Sequence, residues 1–399
     1  MTRADGVAAV LPGTDLVRHS RALQRAHDAV MAGAPAPVAV RPVVSRSWSR
    51  VLRLGLDPSR PNARDPAPPA EVERRRRASP LTLVVDELRA VLSSVADASH
   101  FITVVTDADG VILWREGAAR VLLRADTLGF GEGATWTEEH VGTNAIGTAL
   151  AERAPVQLFS AEHFEQGQHP WYCSAAPVHD PRTGELLGVV DVSGPALTLH
   201  PAIGALIHGA TRLAEARLWH HHRLRLDRLR AGAEHVLATT SGPLLLVDDD
   251  GWVAHHSGVR VRDRVAAPVA GRPLAVPGLG LCVAERLADG WLVRPGGPGP
   301  VMSARLTPGA DGDVLEVRSA GGDERWRTAL TRRHATILRT LHAAGPGGLS
   351  AAELSRRLFG DDDHQVTVRA EISRLRRLLG PLVSPAPYRI AAGVRLAVG

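Results

Sequence analysis

Residues 350–379 read SAAELSRRLFGDDDHQVTVRAEISRLRRLL. Ser350 is followed three residues later by Glu353, the spacing of a capping box, in which each side chain takes the other residue's backbone N–H. The pattern predicts a helix over Ala351–Phe359 with Leu354 and Leu358 inward, a turn over Gly360–Asp363, and a second helix over Gln365–Leu379. In that second helix Val368, Ile372, Leu375 and Leu379 fall on one side. Thr367, Arg369, Ser373, Arg374, Arg376 and Arg377 are left toward solvent. A helix that enters the major groove of DNA needs an apolar back and a front of arginines and small polar residues. Such arginines read guanine edges or clamp phosphates.

Charge agrees with this reading. Between Arg325 and Gly399 there are 13 arginines against 5 acidic residues, a net of +8, whereas the whole chain is only +5 and residues 1–324 therefore sum to −3. A basic segment on a slightly acidic body is the footprint of a polyanion binder, although a solvated basic face has the same composition.

The flanks complete the pattern. Thr331–His342 is helical with Ile337, Leu338 and Leu341 inward, and Gly345–Gly348 ends it. Val383–Ile390 and Val394–Ala397 are expected to pair as a β-wing that presents Arg389. VRAEISRLRRLLG at 368–380 and PYRI at 387–390 resemble the winged-helix effector domains of OmpR/PhoB-type response regulators, over about the last seventy residues. The resemblance implies that Gln365–Leu379 lies in the major groove and the wing touches the minor groove. The alternative for the same residues is a helical bundle that contacts only protein.

The chain's 399 residues allow about two to four domains. It has no apolar run of ~18 residues, and Met1–Ser20 lacks the apolar stretch of a secretory signal, so a cytoplasmic protein without a membrane partner is expected. The two cysteines, Cys173 and Cys282, are far apart, which argues against a disulfide scaffold. There is no lysine, and a P-loop needs one, so a Walker-type ATPase is excluded.

Five segments are expected in an α+β multidomain chain. Residues 1–70 hold two helices, Asp15–Ala32 and Val43–Leu56, and the Pro- and Arg-rich linker Pro58–Pro69. Residues 71–199 form a sensor domain: a helix over Glu71–Ala98 interrupted near Ser79-Pro80, a hairpin of Phe101–Thr106 and Val111–Trp114, a helix over His140–Leu150, and strands at Val156–Phe159, Trp171–Val178 and Leu186–Val192. Residues 200–232 read as a long helix that either packs against its twin in a dimer or packs on its own domain. Residues 233–319 read as a small β-rich, PAS-like module whose hairpin at Leu244–His255 echoes the first, and 325–399 as the winged helix.

In the sensor, VGTNAIGTAL at 141–150, WYCSAAPVHDP at 171–181 and GELLGVVDVSG at 184–194 resemble the GAF domains of acetoin-type regulators, the sensor half of sigma-54 activators. VSRSWSR at 44–50 and GLDP at 55–58 are similar to the short element that precedes them, so the likeness spans about residues 40–195. The resemblance implies ligand sensing. It stops short of sigma-54 activation, because the ATPase of those activators has no place here.

The candidate pocket residues are Trp136, Thr143, Asn144, His163, Trp171 and Cys173. Thr143 and Asn144 open a helix, where backbone N–H groups can meet a ligand or the side chains can simply cap. The two tryptophans also suit a core, and Cys173 a small buried apolar site. His220-His221-His222 point different ways on one helix, and His163 and His169 lack regular ligand spacing, so neither a metal nor a cofactor is assigned. No GxSxG or HExxH motif occurs, and no catalytic residue is assigned. The sequence thus describes a ligand-responsive DNA-binding regulator with duplex DNA, a small-molecule effector, a second copy and RNA polymerase as partners. A signalling adaptor and a Cys-dependent redox enzyme are the competing readings.

Overall fold

The computed structural model describes residues 8–62, 66–99, 101–296, 302–309, 312–319 and 325–399, without the side chains of 93–99 and 319. Residues 63–65 of the expected linker lie outside the described residues. The chain divides into two compact units, Met1–His222 and Arg223–Gly399.

The first unit begins with helices α1 (Leu16–Met31) and α2 (Pro42–Leu54). Asp15 caps α1 by accepting from the Arg18 N–H at 3.0 Å, and Gly55 ends α2 in the left-handed region at φ 73°. The single helix expected over Glu71–Ala98 is instead α3 (Pro69–Ala78), a 3-10 turn over Pro80–Leu83 and α4 (Val85–Ser99). Pro80 lacks an N–H and cannot continue the helix. Strands β1 (Ile102–Asp107) and β2 (Ile112–Gly117) follow, then α5 (Ala119–Asp126). The helix expected over His140–Leu150 is two: α6 (Glu138–Val141) and α7 (Ala145–Glu152). Gly142 at φ 76° breaks it. A Cβ there would fall 2.4 Å from the Phe164 ring. Strands β3 (Val156–Phe159), β4 (Trp171–His179) and β5 (Leu186–Pro195) complete an antiparallel sheet of order β2-β1-β5-β4-β3, and α8 (Ile203–Gly232) leaves it.

Both faces of this sheet are covered. Phe101, Val105, Leu113, Tyr172 and Val190 pack with Leu88 and Leu92 of α4 and Ile203 and Ile207 of α8. The alternate residues Ile102, Val104, Ile112, Leu158, Ala175 and Val189 pack with Val44 and Trp48 of α2, Val121 and Ala125 of α5, and Ile146 and Ala149 of α7. Alternation along each strand produces this two-sided core.

The second unit starts with the last turns of α8, from Arg223, followed by α9 (Glu234–Thr239) and strands β6 (Leu244–Val247), β7 (Val253–Ser257), β8 (Leu274–Val276), β9 (Gly280–Arg286) and β10 (Trp291–Pro295). Their order, β7-β6-β10-β9-β8, repeats the order of the first sheet. The hairpins repeat as well. Asp107 Oδ1 accepts from the N–H groups of Asp109 and Val111 at 3.0 and 2.9 Å, and Asp248 Oδ1 from those of Asp250 and Trp252 at 3.0 and 2.8 Å. Where the first sheet has helices between its second and third strands, residues 258–273 have none, and their Val259, Val261 and Val265 pack on the apolar cluster of β6, β8, β9 and β10.

Strands β11 (Met302–Gly309) and β12 (Gly312–Ser319), read from sequence with the 233–319 segment, hydrogen-bond elsewhere: β13 (Arg325–Leu330), β12, β11 and β16 (Val394–Val398) form one sheet. Helices α10 (Arg332–Ala344), α11 (Ala351–Phe359) and α12 (Gln365–Leu379) share one core with it. The short strands β14 (Val383–Pro385) and β15 (Tyr388–Ile390) form a hairpin, fastened where Leu349 and Tyr388 exchange backbone hydrogen bonds of 2.8 and 2.9 Å. The pairing expected between Val383–Ile390 and Val394–Ala397 therefore does not form: the first stretch pairs within itself, and β16 pairs in parallel with β11.

Candidate functional site

Thr143 and Asn144 are committed inside the protein. Asn144 Oδ1 accepts from the Gly147 N–H at 2.9 Å and its Nδ2 donates to the Gly142 carbonyl at 2.9 Å, so it caps α7. The Thr143 and Ser47 hydroxyls lie 2.7 Å apart, and Ser47 donates to Glu138 Oε1 at 2.5 Å. Arg50 of α2 grips both oxygens of Glu138 at 2.7 and 2.8 Å and reaches Glu152 at 2.8 Å. Arg46 also holds Glu152 at 2.6 Å, which keeps that carboxyl below its ordinary range, chiefly through this hydrogen bond. VGTNAIG and SRSWSR are therefore the two halves of one joint between α2 and α6–α7. Gly147 belongs to it too, since a Cβ there would lie 2.5 Å from the Glu138 backbone nitrogen.

Trp136, Trp171 and Cys173 belong to the same face of the first sheet. Trp136 meets Phe130 edge-on with centroids 4.4 Å apart, and the Arg124 guanidinium stands 5.4 Å from the Trp171 ring centre. Cys173 is only half-buried. Its Sγ is 3.0 Å from Ser193 Oγ, and Ser193 donates to Asp191 Oδ2 at 2.5 Å. Burial, and then the Asp191 charge, hold the thiol well above its usual range, so it stays protonated and a poor nucleophile. Asp191 and Ser193 were not singled out from sequence. The available signal was their interruption of the apolar run GVVDVSG at a spacing of two, which puts both on one face.

His163 lies elsewhere, in the turn after β3. It is fully buried, with Nδ1 donating to the Ser160 carbonyl at 2.9 Å, and burial pushes its pKa down to about 4. His169 is pushed down to about 3, first by burial and then by the charges of His27 and His163. The His27 and His169 rings are 4.6 Å apart. Among the described residues no group of three or more His, Cys, Asp or Glu is arranged to hold a metal ion.

In the second unit, α12 buries Val368, Ile372, Leu375 and Leu379 and exposes Arg369, Ser373, Arg374, Arg376 and Arg377, with Thr367 half-buried. Arg369, Ser373 and Arg376 follow at i, i+4 and i+7, which makes one stripe. Arg374 is held by Glu371 at 2.6 Å. Among the described residues no acidic side chain meets Arg369, Arg376 or Arg377. Arg376 and Arg377 also border a groove with Arg272, Leu274, Trp326 and Pro381, at the end of the helix away from Thr367. Arg389 on the hairpin donates to the Pro346 carbonyl at 2.8 Å.

Residues 20–215 match the family described as MimR, N-terminal domain. Over 399 aligned residues the chain is 31% identical to the uncharacterized 47.3 kDa protein in the thcA 5′ region of Rhodococcus erythropolis, a match that covers 98% of this chain and 74% of that one. The chain belongs to the family of that Rhodococcus protein. It is also 34% identical over 181 residues to the acetoin dehydrogenase operon transcriptional activator AcoR of Bacillus subtilis, covering 45% of this chain and 30% of AcoR. It is 33% identical over 200 residues to the propane 2-monooxygenase operon transcriptional activator MimR of Mycolicibacterium goodii, covering 49% of this chain and 33% of MimR. Against these two activators, then, the match takes in about a third of their length. Among solved structures, a chain of the E. coli DhaR(N)–DhaL complex is 19% identical, with a TM-score of 0.46, covering 63% of this chain and 97% of that one. No helix of the described residues is long and apolar enough to cross a membrane.

Proposed function

We propose that this chain is a ligand-responsive, DNA-binding transcription regulator. A GAF-type sensor within residues 71–199 takes a small molecule, and a winged helix-turn-helix built on α10, α11, α12 and the β14–β15 hairpin binds operator DNA. The observation that carries the reading is the exposed arginine stripe of α12, backed by buried leucine, isoleucine and valine and flanked by a hairpin. It occurs in a chain whose relatives are named as operon activators. In this reading α12 enters the major groove with Thr367, Arg369, Ser373 and Arg374 leading, and Arg389 follows the adjacent phosphates.

The arrangement also supports a sensing role for the first unit. A sheet covered by helices on both faces encloses side chains from several elements, and the face with Trp136, Trp171 and Cys173 includes polar groups inside an apolar wall. Two copies pairing through α8 would couple effector binding to the spacing of two DNA-binding modules, and transcription would change by recruiting or blocking RNA polymerase. The redox-enzyme reading would need a reactive thiolate, whereas burial holds the Cys173 thiol well above its usual range.

The test is selection of a random duplex library with the purified full chain, followed by titration at two salt concentrations. The expected result is an enriched sequence whose binding weakens steeply with salt. Absence of binding at low salt would overturn the reading in favour of a protein-binding adaptor.

A further inference from the structure

The groove beside Arg376 and Arg377 lies within the second compact unit, between the end of α12 and the segment that leads into β8. It measures about 350 Å³. One wall is a tight turn, in which the Arg272 N–H donates to the Val269 carbonyl at 3.0 Å and Gly271 takes the left-handed region at φ 65°. The turn holds Val269 and Arg272 at the groove. Trp326 of β13 lines it too, with the Arg272 guanidinium 5.1 Å from its ring centre.

Two features set this groove apart from ordinary surface. The first is charge. Arg272, Arg376 and Arg377 line it and no acidic residue does. None of these arginines forms an ion pair among the described residues, whereas Arg374 on the same helix is held by Glu371. The second is exposed hydrocarbon: Val269 is 50% and Leu378 41% exposed, and both line the groove. Contacts with DNA phosphates would employ Arg376 and Arg377. They would leave the two apolar side chains without a use, and also Arg272, which is not on α12. Apolar surface beside unpaired guanidiniums suits a molecule with both a hydrocarbon body and a negative charge.

We propose that this groove is a ligand site of the second unit, and that it takes a small organic carboxylate with a flat apolar body. The planar fork of a guanidinium matches a carboxylate in two parallel hydrogen bonds, and the body covers Val269 and Leu378 beside Trp326. Inorganic phosphate satisfies the arginines alone, and a neutral aromatic compound the apolar surface alone. Resting on the DNA-binding reading above, the same occupant withdraws Arg376 and Arg377 from operator phosphates, so carboxylate and DNA oppose each other's binding.

The test is isothermal titration calorimetry of the purified full chain with benzoate, phenylacetate, 2-naphthoate and indole-3-acetate. Each is compared with its primary amide, which keeps the body and loses the charge. At least one carboxylate is expected to bind tenfold or more tightly than its amide, and Arg272→Ala to weaken it at least fivefold. Val269→Asp, at a half-exposed position and checked for a native melting transition, sets a repelling charge in the groove and abolishes the binding. Val269→Asn, the same shape without the charge, retains it. A series in which no carboxylate outbinds its amide would overturn the proposal, as would binding that Arg272→Ala and Val269→Asp leave unchanged, which belongs to another site. Binding that appears only after Asp323→Asn and Glu324→Gln, the carboxylates nearest Trp326 in sequence, would overturn it as well, because the chain would then supply its own anion. No DNA enters the titration, so its failure is separate from failure of the DNA-binding reading. A second arm adds the selected duplex at matched ionic strength. The tightest carboxylate is expected to flatten the slope of log K against log salt by about 1.8, the share of two phosphate contacts, in the parent and not in Val269→Asp. An unchanged slope would refute the opposition between carboxylate and DNA.

Discussion

Replacing Arg369 and Arg376 together by alanine tests the DNA face in numbers. The two are exposed and seven residues apart on one stripe of α12, and no acidic group meets them among the described residues, whereas Arg374 is tied to Glu371 at 2.6 Å. Each arginine that neutralises a phosphate releases condensed counterions and adds about 0.9 to the slope of log K against log salt. With Arg369, Arg376 and Arg377 of α12 and Arg389 of the hairpin engaged, one copy gives a slope of about −3.6, so a rise from 50 to 200 mM salt weakens binding about 150-fold. The double variant keeps two such contacts, with a slope of about −1.8 and a loss of only about 12-fold over the same range. Neither side chain supports the core, so the melting temperature stays unchanged. Fluorescence anisotropy of the full chain on its selected duplex, at four or five salt concentrations, reads both slopes. A double variant with the parent's slope would refute the assignment of α12 as the contact surface, whatever its absolute affinity.

Gly147→Ala sets a Cβ 2.5 Å from backbone at Glu138, where no flexible side chain can yield, and is expected to cost about 3 kcal/mol in urea unfolding. Ser350→Ala removes the capping hydrogen bond to the Glu353 N–H and should cost about 1 kcal/mol, with melting of the second unit moving and that of the first unchanged. His163 has a folded pKa of about 4 against an ordinary 6.5, so the unfolded chain binds the extra proton in that window. The stability from burying it neutral is complete above pH 6.5 and is lost as pH falls toward 4, by up to about 1.4 kcal/mol per pH unit. His163→Asn should flatten the stability profile there, and an unchanged profile would show that the ring is solvated. Glu152, held low mainly by Arg46, contributes stability above its unfolded pKa that disappears as pH falls through the folded one, so Glu152→Gln should lose its deficit relative to wild type in acid.

Much of the architecture could be read from local signals. The capping box at Ser350, the apolar face of α12 and the Asp-rich hairpin turns each act through residues a few positions apart, and the structure places them where periodicity put them. What the sequence concealed depends on partners far along the chain. Val394–Ala397 is a strand by composition, but its choice of β11 over the hairpin is a long-range pairing that no local pattern specifies. The split between α6 and α7 follows from Phe164, which leaves no room for a Cβ at Gly142. The candidate pocket was half legible. Aromatic and sulfur residues drew notice by type, while Asp191 and Ser193 were hidden in a strand that otherwise reads as uninterrupted core. Thr143 and Asn144 had two chemically equivalent uses, and only the positions of Ser47 and Gly147 decide between them.

The parallel pairing of β16 with β11 has a consequence for the order of events during synthesis. Met302 registers with Val394, 92 positions later, and the strands, helices and hairpin between them are all enclosed by that closure. Contacts so distant along the chain form late, because the intervening segment must be ordered first. A chain emerging from the ribosome can therefore complete its sensor sheet, whose strands lie within Ile102–Pro195, long before the arginine helix acquires a finished sheet behind it. On the function proposed here, the nascent protein would in that interval be able to meet an effector while still unable to grip an operator.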